Sequence, residues 1–121
     1  MADETDLKRI ARSLPGAGES GFDVGGKGYA WVYQQKVAGQ KGRIERRDVL
    51  AVRVATLDEK DALIAADPDK FFTDAHYAGF PAVLVRLAAI DSSELTELLI
   101  DAWRTHASRK QAAEFDAQTR K

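Results

Sequence analysis

The spacing of apolar residues changes twice along this chain, and each change restricts what it can fold into. Leu7, Ile10, Ala11 and Leu14 recur at i, i+3, i+4 and i+7, the spacing of one helical face. Between Tyr29 and Tyr33, and again from Leu50 through Val52 to Val54, the period is two, as in a strand. Leu95, Leu98, Leu99, Ala102 and Trp103 return to the helical period. Helices at both ends and strands between them predict an α+β domain, with a mostly antiparallel sheet and the terminal helices packed on one of its faces.

Local signals place the boundaries. Asp3 to about Ser13 reads as a helix with acids in its first turn, stopped by Pro15-Gly16. Phe22 and Val24 lead through Gly25-Gly26 into the strand Tyr29 to Tyr33, a tight hairpin. Asp48 to Ala55 is a further strand with Leu50, Val52 and Val54 on one face and Ala51 and Arg53 on the other. Thr56 and Glu59 form a capping box that opens a short helix ending near Asp67-Pro68. Phe71 to Thr73 is a short strand, Asp74 to Pro81 is turn-rich, and Ala82 to Leu87 is a strand whose Arg86 points away from Val83, Val85 and Leu87. Asp91 and Glu94 make a second capping box before a helix that runs to about Ala107 or on to Phe115. The predicted order is α-β-β-β-α-β-β-α in one domain over residues 1–115, with 116–121 as a frayed tail.

At 121 residues one core can bury about two-thirds of the unfolded chain's surface. The absence of cysteine excludes disulfides, thiolate nucleophiles and cysteine-based metal centres, and His76 and His106 are too few for a histidine-rich site. No cofactor or metal is expected. The acidic start, Met-Ala-Asp-Glu-Thr-Asp, lacks the pattern of a secretory signal, and the longest apolar stretch, Ala82 to Ile90, is broken by Arg86. The expectation is a cytoplasmic monomer with no membrane partner.

Charge is less even than the net value of -1 suggests. Between Lys36 and Arg47 five bases (Lys36, Lys41, Arg43, Arg46, Arg47) face one acid, Glu45, so that segment is about +4 and the remainder about -5. With Gly39 and Gly42 and no apolar period, it reads as a long loop between Tyr33 and Asp48, suited either to contacting phosphates or to staying solvated. Arg53 and Arg86, both opposite the core residues of their strands, would extend the patch across an open sheet face, or else each pair with an acid. Tyr29, Trp31 and Tyr33 alternate on one strand face as a base-stacking platform or, the favoured alternative, as core. Asp74 with His76 has the elements of an oriented imidazole, although a turn aspartate explains them more simply. His106 with Arg104, Arg109 and Lys110 fits a helix C-terminal end or a second phosphate-contacting patch.

With this order in view, Leu14-Pro15-Gly16, Glu19-Ser20 and Phe22-Asp23-Val24-Gly25-Gly26-Lys27-Gly28-Tyr29-Ala30 resemble the opening of the MmcQ/YjbR-like proteins. So do Ala66-Asp67-Pro68-Asp69-Lys70-Phe71-Phe72, His76-Tyr77, Pro81 to Leu87, and Asp91 through Glu94-Leu95 to Ala102-Trp103-Arg104. The similarity spans roughly residues 7 to 110 of a bacterial family described as DNA-binding. It implies a CyaY-like fold in which β-hairpins project as two wings proposed to grip DNA, and it implies no enzyme activity. The chain departs from the family where other members carry a Lys-rich, Trp-containing motif before the late strand, since here Tyr77-Ala78-Gly79-Phe80-Pro81 has no base. The iron binding linked to an acidic first helix in frataxin-like proteins finds only Asp3, Glu4 and Asp6.

The expected function is therefore non-enzymatic, weak and largely sequence-independent binding of nucleic acid, duplex DNA first. Lys36, Lys41, Arg43, Arg46 and Arg47 would make the phosphate contacts, assisted by Arg53 and Arg86. The alternative is a protein-interaction or small-ligand module that uses the open sheet face around Arg53, Leu84 and Arg86.

Overall fold

The structure, a computed structural model, describes residues 4–14, 22–24, 27–36, 39, 42–75 and 77–119. Helix α1 (Glu4–Ser13) forms where its apolar stripe requires it, with Leu7, Ile10 and Leu14 buried. The expected stop at Pro15-Gly16 and the Gly25-Gly26 turn lie outside the described residues. Strands β1 (Asp23–Val24) and β2 (Lys27–Gly28) pair antiparallel as a short ribbon of their own. Tyr29 then turns the corner: its N–H donates to the Phe22 carbonyl at 2.9 Å, and its carbonyl accepts from Arg53 N–H at 2.8 Å. The single hairpin expected here is therefore a ribbon followed by a bend and a separate strand, β3 (Ala30–Lys36).

Strand β3 is the edge of an antiparallel sheet of order β3-β4-β6-β5, with β4 (Arg43–Arg53), β5 (Phe71–Phe72) and β6 (Ala82–Arg86). Alternation along β4 and β6 sends Leu50, Val52, Val83 and Val85 to one face, where α1 and helix α3 (Ser92–Arg104) cover them with Leu95, Leu99, Ala102 and Trp103. Burying each large side chain there stabilises by roughly 1.5–3 kcal/mol. This is the helix-covered face that the sequence predicts. Leu87, expected in the last strand, lies in a 3-10 turn (Leu87–Ala89) and is still buried.

The other face is not open. Val49, Ala51, Ala82 and Leu84 belong to a second cluster with Tyr33 and Tyr77, flanked by Trp31 and Phe72, and Leu84 is 0% exposed. The turn-rich segment before β6 folds back over the sheet and its rings close the face. Trp31 and Tyr77 stack with centroids 6.4 Å apart, and Tyr77 meets Tyr33 at 6.0 Å and Phe80 at 6.1 Å, edge to face. Asp, Gly and Pro mark that segment as a turn, but its aromatic residues also need burial. The bend at Tyr29 divides the expected trio of rings, since Tyr29 enters the helix-side core while Trp31 and Tyr33 enter the second one.

Both predicted caps form. Thr56 Oγ1 accepts from Glu59 N–H at 3.1 Å at the start of α2 (Leu57–Ala66), and Asp91 Oδ1 accepts from Glu94 N–H at 2.8 Å at the start of α3. Helix α3 ends at Arg104, close to the nearer of the two limits the sequence allows, and a separate helix follows. Ser108 N–H donates to Gln111 Oε1 at 2.9 Å while Gln111 N–H donates to Ser108 Oγ at 3.1 Å, a reciprocal capping box that opens α4 (Arg109–Thr119). Helix α4 continues through positions 116–119, which the sequence assigns to a frayed tail. It returns to the body through Phe115 on Trp103, centroids 5.5 Å apart, and through Asp116, which accepts from Arg104 at 2.9 Å.

Candidate nucleic-acid interface

The basic segment is not one long loop: β4 begins at Arg43, five residues before the expected Asp48. Ala30, Trp31 and Val32 pair with Val52, Ala51 and Leu50, and the register then jumps so that Tyr33 faces Arg46, Gln34 faces Glu45, Gln35 faces Ile44 and Lys36 faces Arg43. Arg47, Asp48 and Val49 fall in the irregularity between the two stretches. Strand β6 pairs with β4 only from Val49, opposite Arg86, to Arg53, opposite Ala82. Tyr33–Lys36 and the first residues of β4 thus run beyond the main sheet as a two-stranded arm, about 14 Å long for four residues per strand. Past Tyr33, which is buried in the second cluster, the described side chains of the ribbon are exposed or half-buried and have no reason to alternate apolar and polar, which is why a period-based reading misses it. Gly39 and Gly42 both have φ of +81°, and a Cβ at either would meet nothing within 4 Å, so backbone conformation rather than space calls for glycine.

Most of the charge maps onto the arm. Lys36 and Arg43 stand opposite each other in register, and Arg46 stands opposite Tyr33. Lys41 lies outside the described residues. The Arg46 guanidinium donates to both Asp48 oxygens at 3.3 Å and to Gln35 Oε1 at 2.8 Å, and its hydrogen bond holds the Asp48 carboxyl below the usual carboxylate range. Both partners are exposed, and such a pair contributes little, so Arg46 can exchange these contacts for an external anion at small cost.

Arg53 and Arg86 do lie on the face opposite the helices, but they do not form one patch. They occupy opposite ends of the β4–β6 ladder, four residues apart or about 13 Å. Each guanidinium packs on a ring, Arg53 5.2 Å from the Phe80 centroid and Arg86 4.1 Å from that of Phe72. Arg86 also donates to the Pro68 and Asp69 carbonyls at 3.3 and 3.1 Å. The other candidates separate in the same way. Arg104 is engaged with Asp116 and the Phe115 ring, and Arg109 and Lys110 begin α4 instead of ending a helix. Asp74 accepts from the Tyr33 hydroxyl and from Tyr77 N–H at 2.9 Å, which anchors the turn, while His76 lies outside the described residues. Among the described residues no group of three or more His, Cys, Asp or Glu side chains is placed to hold a metal ion, and no helix is long and apolar enough to cross a membrane.

The sequence reading overlooked Lys60. On α2 it is only 3% exposed, and its ammonium donates to the Tyr77 carbonyl at 2.5 Å and the Phe80 carbonyl at 3.0 Å, tying the aromatic turn down. Burial pushes its pKa below the ordinary lysine value, against the opposing pull of Asp61 and Asp74. A signal was present, because Lys60, Leu63 and Ile64 share the i, i+3, i+4 stripe of that helix. The same turn shapes the tyrosines: burial, then Asp74, pushes Tyr33 up to about 12, and Trp31 Nε1 donates to the Tyr77 hydroxyl at 2.8 Å.

A family model described as YjbR matches residues 6–105, from α1 to the turn after α3. The chain belongs to the YjbR family. The YjbR match includes the basic arm, the aromatic turn and Lys60, and leaves out α4. Uncharacterized proteins from Mycobacterium bovis and from two strains of Mycobacterium tuberculosis are each 34% identical to this YjbR chain over 128 residues, covering 98% of it and 99% of the relative. No solved structure gives a significant match.

Proposed function

We propose that this protein binds nucleic acid weakly and without marked sequence preference, through the phosphate backbone and by means of the β3–β4 arm. The observation that carries the reading is the separation of charge: about +4 between Lys36 and Arg47, on a ribbon that extends past the sheet, against about -5 on the rest of the chain. A polyanion is drawn to the arm and repelled by the body, which orients the encounter. Lys36 and Arg43 occupy facing register positions, so two basic residues seven apart in sequence share one rung of the arm. Arg53 and Arg86, each against a ring, are left out of the interface. The activity is binding and not catalysis.

The test is fluorescence anisotropy with labelled duplex and single-stranded oligonucleotides over a range of salt. Neutralising four phosphates gives a slope of log K against log salt of about -3.6 on duplex DNA, with Kd of about 10⁻⁴ to 10⁻⁶ M. A variant with Lys41, Arg43, Arg46 and Arg47 all changed to Ala loses most of that affinity and slope. Binding that is absent at low salt, or that survives in this variant, refutes the proposal.

A further inference from the structure

A trough of about 580 Å³ opens between α2 and α3 where β4 ends, and it shares Leu63, Leu98 and Asp101 with a smaller recess of about 310 Å³ beside it. Its floor is aliphatic, from Leu63 and Leu98; Glu59 and Asp101 balance Arg53 and Arg104 around the trough itself, and acids dominate the rim of the recess beside it. The bases there are already engaged: Lys70 donates to Glu94 Oε2 at 2.6 Å, Arg104 donates to Asp116, and Arg53 packs on the Phe80 ring. Glu97 and Asp101, one turn apart on α3 and both exposed, make no ion pair among the described residues. The trough therefore suits an occupant with an apolar side chain next to a cation.

The chain itself carries such an element. Ile44, 43% exposed, is the one large aliphatic side chain described on the arm, and strand alternation puts it on the same face as Arg46, two residues on. We infer that the α2–α3 trough is a docking site for the arm of a second copy of this protein, with Ile44 on the Leu63–Leu98 floor and Arg46 between Glu97 and Asp101. Opposite charge on arm and body favours the encounter, as it does for any complementary pair of surfaces. The contact is head-to-tail, because the surface that gives differs from the surface that receives. It does not depend on nucleic-acid binding, and it is measured without nucleic acid present.

Sedimentation equilibrium of the full chain at low and high ionic strength provides the test. The expected weight-average mass rises above that of the monomer with concentration at low salt and returns to it at high salt. Ile44→Ser, Arg46→Glu, and the double change Glu97→Arg with Asp101→Arg each weaken association about tenfold or more. All these positions are exposed, so circular dichroism and Tm stay as in the wild type. Mixing the Arg46→Glu protein with the Glu97→Arg/Asp101→Arg protein restores association between the two, since the reversed charges now attract. A wild type that is monomeric at every concentration, association indifferent to the charge reversals, or a mixture that fails to associate overturns the inference.

Discussion

Replacing Lys60 with Met tests whether a buried ammonium holds the aromatic turn in place. Met keeps most of the aliphatic stem and removes the charge. The Tyr77 and Phe80 carbonyls would not be orphaned, because Phe80 N–H donates to the first at 2.9 Å and Ala82 N–H to the second at 2.8 Å. The loss is therefore of two charge-assisted hydrogen bonds, about 1.5–3 kcal/mol each, offset by relief from burying an ammonium. A net cost of about 2 kcal/mol follows, or about 8 °C in Tm at roughly 4 °C per kcal/mol for a chain of this size. Lys60→Ala also forfeits about three buried methylenes at about 0.8 kcal/mol each, for a total near 4 kcal/mol. Urea unfolding followed by tryptophan fluorescence reads both. The pH dependence gives an independent check. Because burial lowers the folded pKa, the unfolded chain holds this proton to higher pH, and wild-type stability gains with rising pH in the window just below 10.5. The Met variant lacks that gain, so the gap between the two widens as pH rises through the window. Lys60→Met at or above wild-type stability, or a gap that narrows, refutes the reasoning.

Tyr29 and Tyr33, each pushed to about 12 chiefly by burial, bind protons in the folded state that the unfolded state releases near 10. Stability from these groups is complete below pH 10 and falls between about 10 and 12, and phenolate absorbance should show two tyrosines titrating late in the intact protein. Gly42→Ala, which must hold φ of +81°, should cost about 1 kcal/mol in the arm alone. Hydrogen exchange would then quicken at residues 43–46 and stay unchanged at Val83 and Val85; equal changes at both sites would contradict an independent arm.

What could be read from the chain follows from which interactions are local. The stripe Leu95 to Trp103 and the caps at Thr56 and Asp91 encode helix faces and starts within a few residues; the stripe and both caps form, while the glutamates expected to complete the boxes accept instead from Ala55 N–H and from Lys70. Ser108 and Gln111 encode the start of α4 just as locally, and they decide between the two helix ends, near Ala107 or Phe115, that apolar spacing alone leaves open. The arm was hidden for a different reason. Its pairing rests on backbone hydrogen bonds across a hairpin and leaves no mark on hydrophobic period. The closed second face depends on contacts such as Trp31 with Tyr77 and Lys60 with the Phe80 carbonyl, which join residues 46 and 20 positions apart. Arg53 and Arg86 were assigned the correct side of their strands, but the rings that meet them there come from distant sequence.

With both faces of the sheet buried, polarity no longer tells β4 which residues belong on which side. Volume does so instead. Trp31 sits across from Ala51, and Ala82 beneath the same aromatic layer is fully buried, whereas the helix side takes Leu50, Val52, Val83 and Val85. A slip of one residue in β4 would drive Leu50 and Val52 under the rings and bring Ala51 and Arg53 to the helix side, adding overpacking on one face to a void and a buried charge on the other. Strand β4 is keyed by size at Ala51, and Ala82 makes the matching notch on β6.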